Sequence, residues 1–266
     1  MEIGAVSVAV RSRANMPFIV KRAVIKGHMS GFRESSLVSE EEDRFAGGMP
    51  STITAVRHGQ SESNAAFDEA KRSGVSIALD RPDGGVSLSP LGREQATQLG
   101  RRLAAEDPPD LVLSSPYLRA VQTWELVAAE LDTSPEVRLD ARLRDHDMGQ
   151  WSGMNLAAIR DRFPGEAENL RSRLLTGWRP PGGESLPDVA DRLREVLEEL
   201  RAEHAGRRVL IVAHDSVVLM LKQVIEDIPT DALAEFLPVR NASVSIWRGS
   251  KAEVFNDVGH LRESSF

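Results

Sequence analysis

An α/β fold is predicted: a three-layer α/β/α sandwich whose mainly parallel sheet carries an antiparallel edge strand. Three features of the sequence lead to it. From residue 51 onward, short β-branched runs alternate with amphipathic helical stretches. Parallel neighbours need a crossover connection, usually a helix, so the alternation fits a sheet covered on both faces. Two helix starts are marked by serine followed by proline, a cap residue and a first helical position. Near the C-terminus, two strand-like runs are separated by a glycine-first turn, which folds the chain back antiparallel.

In chain order, strands are expected at 52–56 (TITAV), 110–113 (DLVL), 136–139 (EVRL), 208–213 (RVLIVA) and 243–247 (SVSIW). Helices are expected at 90–106, 116–131, 155–162, 186–203 and 216–226, the first two opening at Ser89-Pro90 and Ser115-Pro116. Residues 243–248 and 251–255 flank Gly249-Ser250 as a two-residue hairpin, which places the last strand antiparallel at an edge. No internal repeat is found. Residues 1–50 differ from the rest: 3–10 and 18–25 read as short strands, and 30–48 is polar, rich in Ser, Glu and Gly, and linker-like. A small hairpin, a disordered extension and an effective start at Met49 all fit this stretch, which shows no chemistry.

The 266 residues suffice for one large α/β domain or two small ones. Forty acidic against 33 basic residues give a net charge of −7, which argues against general affinity for nucleic acid or anionic membrane. An anion site must then be a local positive pocket. The chain has no cysteine, so disulfides, thiolate zinc sites and a thiol nucleophile are excluded. No apolar run approaches the roughly 20 residues of a membrane span. The N-terminus lacks a compact hydrophobic region of the signal-peptide kind, and a cytoplasmic location is expected.

In open α/β sheets ligands bind at the carboxyl ends of the strands, and the residues that follow each expected strand are chemically rich. They are Arg57-His58-Gly59, Ser114-Ser115-Pro116-Tyr117-Leu118-Arg119, Arg142-Leu143-Arg144-Asp145, and His214-Asp215. Two histidines, two well-placed arginines and two aspartates would converge on one rim. A neutral imidazole nitrogen can attack phosphorus. The planar guanidinium fork suits phosphate oxygens better than lysine does. Gly59 would let the backbone approach a ligand, and a helix beginning near Ser61 would add free N–H groups for an anion.

The stretch Val56-Arg57-His58-Gly59-Gln60-Ser61-Glu62-Ser63-Asn64 resembles the opening motif of the histidine phosphatase superfamily, which includes the cofactor-dependent phosphoglycerate mutases. The resemblance runs on through Leu88-Ser89-Pro90-Leu91-Gly92, Ser114-Ser115-Pro116 to Arg119-Ala120-Val121-Gln122-Thr123, Gly149-Gln150-Trp151-Ser152-Gly153, Pro181-Gly182-Gly183-Glu184-Ser185 and Val212-Ala213-His214, covering roughly residues 51–256. It implies a phosphoglycerate mutase-like fold, a catalytic domain at 51–266, and a phosphatase that needs neither metal nor cofactor. It also places the nucleophile on His58, the phosphate clamp on Arg57, Arg119 and His214, and the general acid on Asp145. Asn64 and Asp215 join Arg57 and Arg119 as expected substrate contacts. His214 would serve as a donor kept protonated by bound phosphate, and the acid would need a raised pKa.

The sequence departs from the family pattern at two positions. The acid, ordinarily glutamate, is the shorter Asp145. The second histidine is followed by Asp215, where the mutase-like branch usually has glycine and the acid phosphatase and phytase branch has a proton-donating aspartate. Asp145 is preferred because Arg142-Leu143-Arg144-Asp145 followed by Gly149 keeps the mutase-like spacing; Asp215 is then expected to cap the next helix. His28, His204 and His260 lie outside the strand-end pattern and are expected at the surface. Hydrolysis is preferred over mutase chemistry because 65–87 and 163–183 lack the lid elements of glycolytic mutases. Specificity for a small phosphorylated metabolite is assigned to 65–87 and 151–183, with Lys71, Arg72, Arg81, Arg171, Arg173 and Arg179 as possible contacts. A non-catalytic phosphate binder is the alternative from another class, and a homodimer is a further expectation.

Overall fold

The computed structural model describes residues 48–165 and 177–262. The strand readings within 1–47, His28, and the contacts expected of Arg171 and Arg173 lie outside the described residues. Strands β1 (Thr52–Arg57), β2 (Leu111–Ser114), β3 (Glu136–Leu139), β4 (Arg208–Ala213), β5 (Val244–Trp247) and β6 (Ala252–Asp257) form one sheet in the order β3-β2-β4-β1-β5-β6. The first four are mutually parallel, β5 runs against β1, and β6 pairs antiparallel with β5.

Among the described residues, six helices, α1 (Glu62–Ser73), α2 (Pro90–Ala104), α3 (Leu118–Ala128), α4 (Leu156–Arg162), α5 (Leu186–Glu203) and α6 (Asp215–Glu226), accompany the sheet. The layers follow from the two-residue period of a strand. On β4, Val209, Ile211 and Ala213 pack with α5 and α6, whereas Leu210 and Val212 pack with α2 and α3 on the other face. Truncating one such core side chain costs about 2–5 kcal/mol, so β4, which presents part of the site, is firmly fixed. Among the described residues no helix is long and apolar enough to cross a membrane.

Two local expectations are corrected. Trp247 pairs with Ala252, so the hairpin loop holds the residues from Arg248 to Lys251 rather than two, with Gly249 at φ +95°. The last strand, β6, lies at the edge and pairs antiparallel with β5, as expected; β5, which runs against β1, stands inside the sheet. Helix α3 starts at Leu118 rather than Pro116, because Ser115 Oγ accepts from Tyr117 N at 3.2 Å and holds a turn there.

Helix α1 was expected only as a start near Ser61, and a capping box between Ser61 and Asn64 forms that start. His204 is buried, held between Arg138 and Arg207, and not at the surface.

Candidate active site

Parallel register brings the two histidines together. Arg57 is paired with Ala213 across β1 and β4, so the next residues, His58 and His214, leave the sheet side by side with ring centroids 5.1 Å apart. The His58 backbone is pinned on both sides: its N–H donates to Ala213 O at 2.9 Å, and its carbonyl accepts from Ala242 N and Asn241 Nδ2 at 3.1 Å each.

His58 Nδ1 lies 2.6 Å from Gly59 O. A carbonyl can only accept, so Nδ1 carries the proton and Nε2 keeps a lone pair. Arg119 Nε donates to that Nε2 at 3.1 Å. Burial first, then the charges of Arg119, His214 and Arg57, holds the His58 imidazole well below its usual pKa, so the ring is neutral at pH 7.

His214 is also fully buried, with Nε2 at 2.8 Å from Ser115 Oγ and Nδ1 at 3.4 Å from Asp145 Oδ2. Burial pushes its pKa down to about 3 against the upward pull of Asp145. The expected protonated donor is therefore neutral in this arrangement.

Arg119, the second residue of α3, is 3 % exposed. A guanidinium has five N–H donors, and all are engaged. Besides Nε, Nη1 donates to Asp83 O at 2.8 Å and Asp83 Oδ1 at 3.0 Å, while Nη2 donates to Asp83 Oδ2 at 3.0 Å and Asp145 Oδ2 at 2.9 Å. The helix start is tied to the His58 loop through Thr123, whose hydroxyl donates to Arg119 O at 2.7 Å and accepts from Gly59 N at 3.1 Å.

Asp145 Oδ1 accepts from Ser216 Oγ and His146 N at 2.8 Å each, which leaves Oδ2 directed at Arg119 and His214. Burial pulls this carboxyl upward, but His214, Arg119, the Ser216 hydroxyl and His58 outweigh it and hold it well below the usual carboxylate range. The raised pKa expected of an acid is thus not present here, because the neighbouring guanidinium favours the anion. Neither Arg142 nor Arg144 binds this carboxylate: Arg142 pairs with Asp140 and Glu199, and Arg144 with Glu184. The loop is braced by close backbone packing, since a Cβ on Gly149 would meet Pro181 O at 2.3 Å and one on Gly183 would meet Asp147 O at 2.3 Å. Two motifs distant in sequence thereby fix the Asp145 segment.

Other expectations separate. Arg57 Nη1 donates to Val239 O at 2.7 Å, and Nη2 stands 3.7 Å from Asp215 Oδ2. Asp215 is the first residue of α6 and His214 holds the cap position, so the capping role expected of Asp215 is corrected. Its Oδ1 accepts from Ser216 N at 2.8 Å, and none of its described contacts is with either histidine ring. Asn64 spends its Oδ1 on Ser61 N at 3.1 Å and Asn241 Nδ2 at 3.2 Å, which makes it a brace. Gly59 is needed against protein rather than ligand: a Cβ there would lie 2.3 Å from Gly92 O. At the start of α1, Glu62 N donates to Ser87 O and Asn64 N to Ser61 Oγ, so these two N–H groups are already engaged.

Reading the residues after each strand missed Ser216, Asn241 and Asp83, and it named Ser115 and Tyr117 without a role. Ser216 adjoins a singled-out motif, and the only tyrosine packs edge-on to His214 at 5.2 Å while its ring lies 5.0 Å from Arg119 Cζ.

Paired neutral imidazoles, a buried guanidinium and an ionised carboxylate set at the carboxyl ends of a parallel sheet define a phosphoryl-transfer site of the histidine type. Residues 53–255 match the model of the histidine phosphatase superfamily (branch 1), and the chain belongs to that family. It is 34% identical over 186 residues to the glucosyl-3-phosphoglycerate phosphatase of Mycolicibacterium vanbaalenii, covering 67% of this chain and 76% of that one. It is also 34% identical over 190 residues to the 2,3-bisphosphoglycerate-dependent phosphoglycerate mutase of Nitrobacter winogradskyi, covering 70% and 86%. Among solved structures, a mycobacterial glucosyl-3-phosphoglycerate phosphatase superposes with a TM-score of 0.62 at 29% identity, covering 77% of this chain and 98% of its own. The chain is a phosphatase of the histidine phosphatase type.

Proposed function

We propose that the chain is a metal-independent phosphomonoesterase that passes the phosphoryl group of a small phosphorylated metabolite to His58 Nε2 and then to water. The observation that carries this reading is the 2.6 Å contact of His58 Nδ1 with Gly59 O, which commits the opposite nitrogen to a lone pair. Arg119 and Arg57 supply the positive charge that a developing phosphoryl transition state needs, so the cationic role falls to guanidinium.

The Nε2 lone pair forms a bond to phosphorus as the ester P–O bond breaks, and the departing alkoxide takes a proton from Asp145. Water then loses a proton to the Asp145 carboxylate and attacks phosphorus, the N–P bond breaks, and inorganic phosphate leaves. Asp145 must be protonated for the first step. A phosphate monoester brings close to two negative charges; set beside Asp145 and drawing on Arg119, they raise the carboxyl and give His214 an anion to donate to. The contacts of Asp145 with His214 and Arg119 support it as the acid over Asp215, which faces Arg57.

Because similar proteins include phosphatases of glucosyl-3-phosphoglycerate, a sugar-linked phosphoglycerate heads the substrates to try. Hydrolysis of p-nitrophenyl phosphate with and without EDTA tests the chemistry: undiminished turnover and label trapped on wild-type protein but not on His58→Ala are expected. Loss of activity with EDTA, or label retained by His58→Ala, sinks it. Interconversion of 2- and 3-phosphoglycerate with bisphosphoglycerate present would show a mutase instead.

A further inference from the structure

The donors of Arg119 are fully engaged, and the strongest engagement is with a loop. Asp83 presents both carboxylate oxygens to the two Nη atoms at 3.0 Å each, and its carbonyl takes a third N–H at 2.8 Å. A two-oxygen grip on a guanidinium fork is the geometry by which arginine holds phosphate. His58 is only 2 % exposed and His214 wholly covered, so phosphorus cannot reach His58 Nε2 while this arrangement persists.

One of the two carboxylates on Arg119 must yield to a substrate. Asp145 is anchored by Ser216 and His146 and its side chain is 22% exposed, whereas the Asp83 side chain is 42% exposed and sits in a short turn, Asp83–Gly85. Gly84 of that turn lies against the Tyr117 ring, where a Cβ would stand 3.4 Å from it. The turn thus rests on the aromatic edge of the site as a removable cover. Retaining Asp83 beside an incoming dianion would place two carboxylates and a phosphate around one guanidinium, an arrangement that repulsion disfavours.

We propose that the Asp83 carboxylate is a built-in competitor for substrate phosphate: it closes the site on Arg119, and phosphate binds by displacing it and lifting the Asp83–Gly85 turn. Asp83 is then a residue that sets affinity, acting through Arg119. The proposal rests on the reading of Arg119 as the phosphate clamp.

The test compares wild type, Asp83→Ala, Asp83→Asn and Arg119→Ala, measuring KM for p-nitrophenyl phosphate and the inhibition constant of inorganic phosphate. Asp83→Ala is expected to lower both constants about tenfold, the scale of one charge-assisted pair at a partly exposed position. Asp83→Asn, isosteric and still an acceptor, lowers them less and keeps the test decisive should truncation disturb the turn. A residue with only a structural role would raise KM or leave it alone. Constants unchanged or raised in both Asp83 variants overturn the proposal. If Arg119→Ala binds phosphate as wild type does, the clamp reading itself fails, an outcome separate from failure of Asp83 alone.

Discussion

At the amino ends of the strands, Arg208 lies 2.7 Å from Asp110, and Arg207 lies 3.1 Å from Glu136, which Arg138 also approaches at 2.7 Å; all of these side chains are partly open to solvent. At the carboxyl ends, Arg119 is shared among His58, Asp83 and Asp145 and is almost wholly buried. The residue types are the same at both ends. Exposed pairs are screened and worth about 0–1 kcal/mol, whereas a charge withdrawn from water acts strongly on whatever shares its cavity. Chemistry therefore gathers where one cation serves several partners under cover, and arginine count alone does not distinguish the two ends.

Replacing the cation at each end breaks or sharpens that contrast most. Arg119→Ala is expected to lower kcat/KM for p-nitrophenyl phosphate by about 10³-fold, the scale on which an arginine stabilises phosphoryl transfer. Arg208→Ala is expected to leave kcat/KM as it is. Equal losses from the two substitutions would dissolve the distinction between the ends.

Next in size is the proton donor. Asp145→Asn is expected to slow an alkyl phosphate by about 10²-fold or more, within the usual range for general acid catalysis. The loss should be smaller with p-nitrophenyl phosphate, whose leaving group needs little help. Asp215→Asn should not reproduce that leaving-group dependence. If it does, while Asp145→Asn does not, the donor belongs to the pair facing Arg57.

The layers and the site's two histidines were legible because burial imposes periods that sequence displays: Val209, Ile211 and Ala213 face one core while Leu210 and Val212 face the other. Strand ends located His58, His214, Arg119 and Asp145 for the same reason. Asn241 escaped because β5 runs antiparallel, so it is the residues preceding that strand which reach the rim. Helix α1 was legible only at its cap, since its buried set is Ala70 alone and no apolar stripe advertises it. Asp83 gave no signal at all. It lies in a polar, glycine-containing loop, and its value comes from meeting a guanidinium 36 residues away. The depressed Asp145 carboxyl was equally hidden, because its direction depends on which charge stands nearest.

Histidines in the two regions give the smallest and most quantitative contrast. His214 is held down to about pKa 3 chiefly by burial, and His204, beside Arg138 and Arg207, is lowered in the same direction. A lowered histidine pKa means that the unfolded chain binds its proton first as pH falls. Its contribution to stability is therefore complete above the unfolded value near 6.5 and is lost progressively below it, until the folded ring also protonates. Buried, neutral His214 should cost about 1 kcal/mol per pH unit across that window. Asp145, whose folded pKa is depressed, is stabilising above its unfolded value near 3.8 and fails only at lower pH, so it leaves the range from 6.5 to 4.5 to the histidines. Urea unfolding at pH 7.5, 6 and 5 should show a clear loss for wild type, a shallower loss for His214→Gln, and a loss close to wild type for His204→Gln, whose partners lie nearer solvent. Equal slopes for the two variants would mean that the carboxyl-end cavity is no drier than its counterpart, and the basis for a neutral nucleophile there would go with it.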